Sequence, residues 1–324
     1  VKWKLKERNM RRNETQSAYT RFGVRVGFTT LLLALIVLLA ACGSISSKAK
    51  GTPIPPTATP PPKGWNAVAS PPVGSEGNLT AIAALSATDA WAVGQYEAPD
   101  SLQRTLIEHW NGSTWTQIPS PNSSQRSNIL SAVAAISANN VWAVGSGVTA
   151  PDKSEQLIEH WDGKTWTITP NPTISQGDST LSGVAAITAN DAWAVGSTTA
   201  QTSAGSPSHT EPLVEHWDGA LWKVVASAAL PTAETNSSTF NYLTAVTAVS
   251  SKDVWAVGGS FSKPLIEHWD GTTWKVVPDA DPDNFQGTPI GISAASANDV
   301  WAVGSGLSNG QRGCGLDNST TTRL

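Results

Sequence analysis

Apolar residues along this chain come in short runs, and the runs recur. Around residue 140 they are 130–136 (LSAVAAI), 142–145 (WAVG), 157–161 (LIEHW) and 165–169 (TWTIT), with polar or Gly-, Pro- and Asn-bearing stretches between them. Each run is too short for a stable helix and is bounded by residues that favour turns. The first run is rich in Ala, which favours helix, but its neighbours are rich in Val, Ile and Trp, which fit a pleated surface. Asn-Gly or Asp-Gly joins the third run to the fourth at 111–112, 162–163, 218–219 and 270–271, and such a dipeptide between apolar runs is a strong hairpin signal. The pattern predicts four short antiparallel strands per unit. With a two-residue turn, Glu108 would face Trp115 and His109 would face Thr114.

The units repeat. W-A-V-G begins at Trp91, Trp142, Trp193, Trp255 and Trp301, at steps of 51, 51, 62 and 46 residues. Four of these are followed by E-H-W-[DN]-G-x-x-W, beginning at Glu108, Glu159, Glu215 and Glu267. A period near fifty residues with this internal grammar means an array of similar supersecondary units. Four antiparallel strands per unit is a propeller blade. The first strand would lie beside the central axis, where small residues such as Ala81, Ala83, Ala132 and Ala134 fit, and the Trp rings would fill the widening gaps between blades. The fold predicted is an all-β propeller of about five visible blades, the last incomplete, over residues 64–307.

The sequence V-W-A-V-G-G at 254–259 and E-H-W-D-G-T-T-W at 267–274 resembles the repeats of the kelch family and of galactose-oxidase-type propellers. Those repeats carry an apolar strand ending in a double glycine, then an aromatic followed by a Trp. The double glycine is complete only at Gly258-Gly259; Gln95, Ser146, Ser197 or Ser305 stands second elsewhere. The aromatic pair is also closer here, as at Trp110 and Trp115. The resemblance implies a closed ring, in a family that usually has six or seven blades. Residues 63–71 (KGWNAVASP) match a fourth strand, so the propeller is expected to open with a lone outer strand. After Gly304 a third strand is due, but 305–324 hold no Trp and no apolar run; residues 308–324 read as an aberrant or truncated tail.

Residues 26–41 carry no charge and follow Arg11, Arg12, Arg21 and Arg25. A basic segment before an apolar one reads as an export signal over residues 1–41, with Met10 an alternative start. Leu39-Ala40-Ala41-Cys42 then matches the lipobox of bacterial lipoproteins, which implies lipidation of Cys42 and tethering at the outer face of the cytoplasmic membrane; an uncleaved anchor is the alternative. Residues 42–63 form a linker in which six of the ten residues 53–62 are Pro, a composition that makes a semi-stiff spacer. Cys314 is the one other Cys, so no disulfide framework is expected. Residues 1–41 hold eight Lys and Arg against two Asp and Glu, which leaves 13 against 23, a net of −10, beyond them. Such a surface repels nucleic acid.

The Glu-His pairs are the tempting chemistry: Glu108-His109, Glu159-His160, Glu215-His216 and Glu267-His268. Equivalent positions on different blades radiate from the axis and do not converge, so these four pairs are expected to tie strands within a blade by hydrogen bonds. Asp89, Asn140, Asp191, Asp253 and Asp299 precede each W-A-V-G strand and are expected to satisfy backbone N–H groups in the turn. No Ser/His/Asp signature, glycine-rich phosphate loop or metal-ligand spacing stands out, and no catalytic set, metal or cofactor is expected. The copper site of galactose oxidase needs Tyr, His and a Tyr–Cys crosslink; this chain has only Tyr19, Tyr96 and Tyr242, with Cys314 in the tail.

Connections of the S-A-N-D and D-G kind are uniform, whereas those on the opposite rim vary. Variable loops on a rigid frame are where binding usually sits. Tyr96, Arg104, Arg126, His209, Phe240, Tyr242, Phe261 and Phe285 lie in or beside them and form the candidate binding rim. The expected function is recognition of an extracellular protein or glycan by a non-catalytic module. The alternative is a polysaccharide hydrolase or lyase with carboxylates converging at the axial mouth.

Overall fold

The computed structural model describes residues 2–5, 66–74, 76–151, 153–174, 177–201, 208–230, 240–260, 263–278 and 285–308. Of the export signal only residues 2–5 are described, and they form a strand; residues 6–65, with Cys42 and the linker, and the tail from residue 309 lie outside the described residues. Every described strand belongs to the compact unit formed by residues 1–7 and 68–324.

In chain order the strands begin with β1 (Lys2–Leu5). The first blade is β2 (Gly77–Ser86), β3 (Asp89–Glu97), β4 (Gln103–Trp110) and β5 (Trp115–Gln117). The second is β6 (Asn128–Ser137), β7 (Asn140–Ala150), β8 (Lys153–Trp161) and β9 (Trp166–Ile168). The third is β10 (Asp178–Thr188), β11 (Asp191–Gln201), β12 (Ser208–Trp217) and β13 (Trp222–Val224). The fourth is β14 (Asn241–Ser250), β15 (Asp253–Ser260), β16 (Lys263–Trp269) and β17 (Trp274–Val276). The last is β18 (Phe285–Ser296) and β19 (Asp299–Ser308), with β1 antiparallel to β19 where the other blades carry their third strand. Residues 66–70, expected as the end of a lone outer strand, are not in a ladder. The molecule is an all-β propeller in which the inner strands β2, β6, β10, β14 and β18 pack in sequence.

The W-A-V-G glycine has a steric cause. Each first strand carries a bulge, at Leu79/Ala81, Leu130/Ala132, Leu181/Gly183, Leu243/Ala245 and Pro289/Gly291. The bulge pushes a carbonyl towards the second strand. A Cβ on Gly94, Gly196 or Gly258 would sit 1.9 Å from the carbonyl oxygen of Asn78, Thr180 or Tyr242. Only glycine fits there.

The hairpin register differs from the two-residue reading. Trp110 pairs with Trp115, His109 with Thr116 and Glu108 with Gln117, so four residues form the loop. The Asn111 side-chain oxygen accepts from the backbone N–H of Ser113 and of Thr114, both at 3.0 Å. Asp162, Asp218 and Asp270 do the same in the later blades. Gly112, Gly163, Gly219 and Gly271 follow with φ between +93° and +95°, a conformation that favours glycine. An acidic or amide side chain that closes its own turn lets the loop run two residues longer than a type I′ hairpin.

The blades are glued by apolar faces with a fixed division of labour. Trp91, Val93 and Ile107 of the first blade meet Leu130, Val133, Val141, Ala143, Leu157 and Trp166 of the second. Trp142, Val144 and Ile158 meet the same set one blade on, with Trp222 in place of Trp166. Each blade thus has a donor face, carrying the W-A-V-G ring, and an acceptor face, carrying the Leu, Val and fourth-strand Trp. The ring of Trp142 lies 5.0 Å from that of Trp217 and 5.2 Å, edge-on, from that of Trp222. It also lies 4.2 Å from its own blade's His160. Aromatic pairs in such geometries add to the area they bury.

Fourth strands are only three residues long, which leaves the outer edge of the upper half of β4, β8, β12 and β16 without a fourth-strand partner. Connectors cover that edge instead: Asn122 accepts from the Thr105 N–H at 3.1 Å, and Asn171 donates to the Gln156 carbonyl at 3.0 Å. The matching positions in the next two blades are Pro212 and Pro264, which have no N–H to leave exposed.

Candidate functional site

The repeated titratable residues have structural partners. His109 Nε2 lies 2.9 Å from Asp89 Oδ1, His216 Nε2 2.9 Å from Asp191 Oδ1, and His268 Nε2 2.8 Å from Asp253 Oδ1. In the second blade the partner of His160 is Asn140, at 2.9 Å. These bonds join the second and third strands of one blade. The acidic residue before W-A-V-G is therefore the anchor of a histidine some twenty residues away. The turn N–H of Thr88 and of Lys252 goes to the hydroxyl two residues earlier, Ser86 or Ser250, which corrects the expectation for these Asp and Asn side chains.

The Glu half works between blades, not within one. Glu108, Glu159, Glu215 and Glu267 are buried. Ser70 donates to Glu108 Oε1 at 2.5 Å, Ser120 to Glu159 Oε2 at 2.8 Å and Ser227 to Glu267 Oε1 at 2.7 Å. Each serine sits on the connector that arrives from the preceding position in the array. Glu215 is different: the matching connector residue is Asn171, and Gln156 Nε2 approaches Glu215 Oε1 only to 3.4 Å. Glu108 Oε2, Glu159 Oε1 and Glu215 Oε2 have no hydrogen-bond partner.

Burial disfavours the charged carboxylate. It pushes Glu159 up to about 8, against the pull of the Ser120 hydroxyl. It pushes Glu215 up to about 7, against Gln156. Glu267 is raised as well by burial, opposed by Ser227 and the Ala228 N–H. His160 is held below its ordinary value by burial, with Asp162 pulling the other way. Among the described residues no three His, Cys, Asp or Glu side chains gather where they could share a metal ion.

The rim residues fall into separate places. Tyr96 pairs with Arg104 across β3 and β4. Arg104 donates to the Arg126 carbonyl at 3.1 Å and to Asp100 Oδ2 at 2.8 Å. Its guanidinium therefore staples two loops, and Arg126 is exposed beside it. Tyr242 reaches across to the last blade, its hydroxyl 3.3 Å from Thr288 Oγ1. Phe240 is exposed and forms an isolated bridge with Thr210. Phe285 begins β18, and Phe261 lies outside the described residues.

A cavity of about 660 Å³ lies beside the third blade, where its connector crosses to the fourth. His209, Glu211 and Leu213, alternate residues of β12, share it with Thr198, Leu230 and Asn241. His209 is one of the candidate rim residues; Glu211, Leu213, Thr198, Leu230 and Asn241 are not. Asn241 is 4% exposed and its Oδ1 has no partner. Asn128 holds the same place two residues before the bulge leucine in the second blade. There the side chain is fully used: Oδ1 accepts from Ser123 Oγ and the Ser124 N–H, and Nδ2 donates to the Ser124 and Arg126 carbonyls. One repeat position thus pins a connector in one blade and lines a cavity in another. The shared Asn was visible in the sequence as Asn128-Ile-Leu-Ser and Asn241-Tyr-Leu-Thr.

The chain shares its fold with known propellers. No family model matches it, and no curated protein matches it. Among solved structures, YCF48 bound to a D1 peptide is similar over 72% of this chain at 14% identity, with a TM-score of 0.40. The chain spans 64% of that protein's length. The WD40 repeats of RRP9 are similar over 71% of this chain and 67% of their own, at 10% identity and a TM-score of 0.41. An ulvan lyase of polysaccharide lyase family 25, bound to a GlcA–Rha3S saccharide, is similar over 69% of this chain and 60% of its own, at 11% identity and a TM-score of 0.39.

Proposed function

We propose that this chain is a recognition module of the kelch-like kind, held at the outer face of the bacterial cytoplasmic membrane by a lipid on Cys42, which binds an extracellular protein or glycan on its variable rim. The observation that carries the reading is the cavity at β12, which His209 of the variable rim lines with Glu211, Thr198 and Asn241. Glu211 is the one carboxylate among the described lining residues, whereas a hydrolase or lyase working by paired acids needs two.

The test is a glycan and cell-envelope array probed with the intact chain. Glu211→Gln keeps the shape and removes the charge at the cavity, so ligand affinity should fall at least about tenfold, one hydrogen bond's worth, with the melting temperature unchanged. A ligand that binds the Glu211→Gln chain as well as the wild-type chain would place recognition elsewhere. The tether is tested separately: Cys42→Ser should abolish incorporation of labelled fatty acid. Equal labelling of both chains contradicts the lipid anchor.

A further inference from the structure

Three of the loops that join a third strand to a fourth hold a carboxylate among backbone donors, and the loop of the first blade holds an amide. Asp162 Oδ1 accepts from the Thr165 N–H at 2.9 Å and the Lys164 N–H at 2.8 Å. Asp218 and Asp270 accept in the same way. The N–H groups of Thr165 and Lys164 hold the Asp162 carboxyl below its ordinary value, so the loop favours a negative oxygen. In the first blade the residue is Asn111. Its Oδ1 accepts from the Ser113 N–H at 3.0 Å, the Ser113 hydroxyl at 2.8 Å and the Thr114 N–H at 3.0 Å. Its Nδ2 reaches the Thr114 hydroxyl only at 3.4 Å. Donors suited to a carboxylate thus converge on a neutral carbonyl.

The same amide is open to attack from its own backbone. Gly112 follows it, with no Cβ to hinder the approach of its nitrogen, and both residues are exposed. The Gly112 N–H has no acceptor among the described residues. Every other described Asn is followed by a residue that carries a side chain.

We propose that Asn111 is a site of self-modification, at which the folded chain turns this amide into a carboxylate and gives the first blade the loop that the next three carry. The Gly112 nitrogen, its proton lost to solvent base, bonds to Asn111 Cγ. The Cγ–Nδ2 bond breaks, and the amide leaves as ammonia with a proton from water. Water then adds to Cγ of the cyclic imide, the bond from Cγ to the Gly112 nitrogen breaks, and that nitrogen regains a proton. The net change is one water consumed and one ammonia released. Negative charge builds on Oδ1 in both steps, where the Ser113 and Thr114 donors stabilise it. Because they polarise Cγ and not the backbone carbonyl of Asn111, water enters at Cγ and the chain keeps its ordinary linkage. Entry at the backbone carbonyl would leave an isoaspartyl linkage, one backbone atom longer, in a loop whose ends are fixed by the pairing of Trp110 with Trp115.

The experiment uses the full chain as Asn309→Gln, which removes the other Asn-Gly, in the tail outside the described residues. After several weeks in mildly alkaline buffer, mass spectrometry of the digested chain should find an acid at position 111 and an amide still at Asn122, which Ser123 follows. The acid should be chiefly the ordinary aspartyl form in the folded chain and chiefly the isoaspartyl form in chain aged in urea. The aged folded chain should elute from an anion exchanger with Asn111→Asp and share its melting temperature. Ser113→Ala, without the hydroxyl donor, should slow the conversion severalfold. A chain that keeps its amide at position 111 overturns the proposal. So does the same mixture of linkages from folded and urea-unfolded chain, or an unchanged rate in Ser113→Ala, since the loop's donors would then play no part.

Discussion

Replacing Trp142 by Ala is expected to cost about 3–5 kcal/mol, the range for a large buried aromatic. The ring is 1% exposed and packs on His160 in its own blade and on Trp217 and Trp222 in the next. Its loss opens a cavity between blades that rigid sheets cannot collapse to fill. Stability of a domain is typically only about 5–15 kcal/mol, so one such loss is a large share. Urea unfolding followed by circular dichroism measures it. Trp115→Ala serves as the control: that ring is half-buried, and its removal should cost clearly less. Equal losses at the two positions would mean that the blade interface does not carry the stability.

Glu159→Gln is expected to stabilise the protein at pH 8 and to flatten its dependence on pH. The folded carboxyl is raised to about 8 from an ordinary 4.5. Between those values the folded chain keeps a proton that the unfolded chain releases, so stability is full below about pH 4.5 and is lost as pH rises towards 8. Glu215 and Glu267 act in the same direction. A tenfold difference in proton affinity between the folded and unfolded chain is worth about 1.4 kcal/mol, so Glu159 alone weakens the fold by several kcal/mol across this window. His160 opposes the trend only on the acid side, where its lowered value makes the folded state resist protonation. The wild-type melting temperature should fall from pH 5 to pH 8. Gln cannot ionise but can accept the Ser120 hydroxyl, so the variant should lose much of that fall. A wild-type protein whose melting temperature rises steadily over the same range would refute burial as the dominant influence on these groups.

The strands and the blade were legible because each local signal agreed with the others: period, apolar runs, turn dipeptides and the repeated W-A-V-G. The hairpin register was not, because Asn-Gly and Asp-Gly close either a two- or a four-residue loop. What chose the longer one was the side-chain oxygen of Asn111 reaching the N–H groups of Ser113 and Thr114. The Glu-His pair was read as one unit because the residues are adjacent. They alternate across the strand, however, so His109 turns to Asp89 in its own blade while Glu108 turns to Ser70 on an arriving connector. The serine partners recur in step with the repeat, five residues after Trp65, Trp115 and Trp222, a spacing that gains meaning only once the blades are set side by side. The cavity at β12 draws on two connectors and two blades, and nothing local marks it except the Asn shared by positions 128 and 241.

The central claim is that the tryptophans bond one blade to the next, and a pair of double-mutant cycles tests it. Trp142 touches Trp222 across the blade boundary, but Trp166 of its own blade belongs to the preceding interface. With Phe as the replacement at each position, the account predicts a coupling of roughly 0.5–1.5 kcal/mol for Trp142 with Trp222, as for ring pairs in contact. It predicts coupling near zero for Trp142 with Trp166. Strong coupling inside the blade and none across the boundary would contradict it.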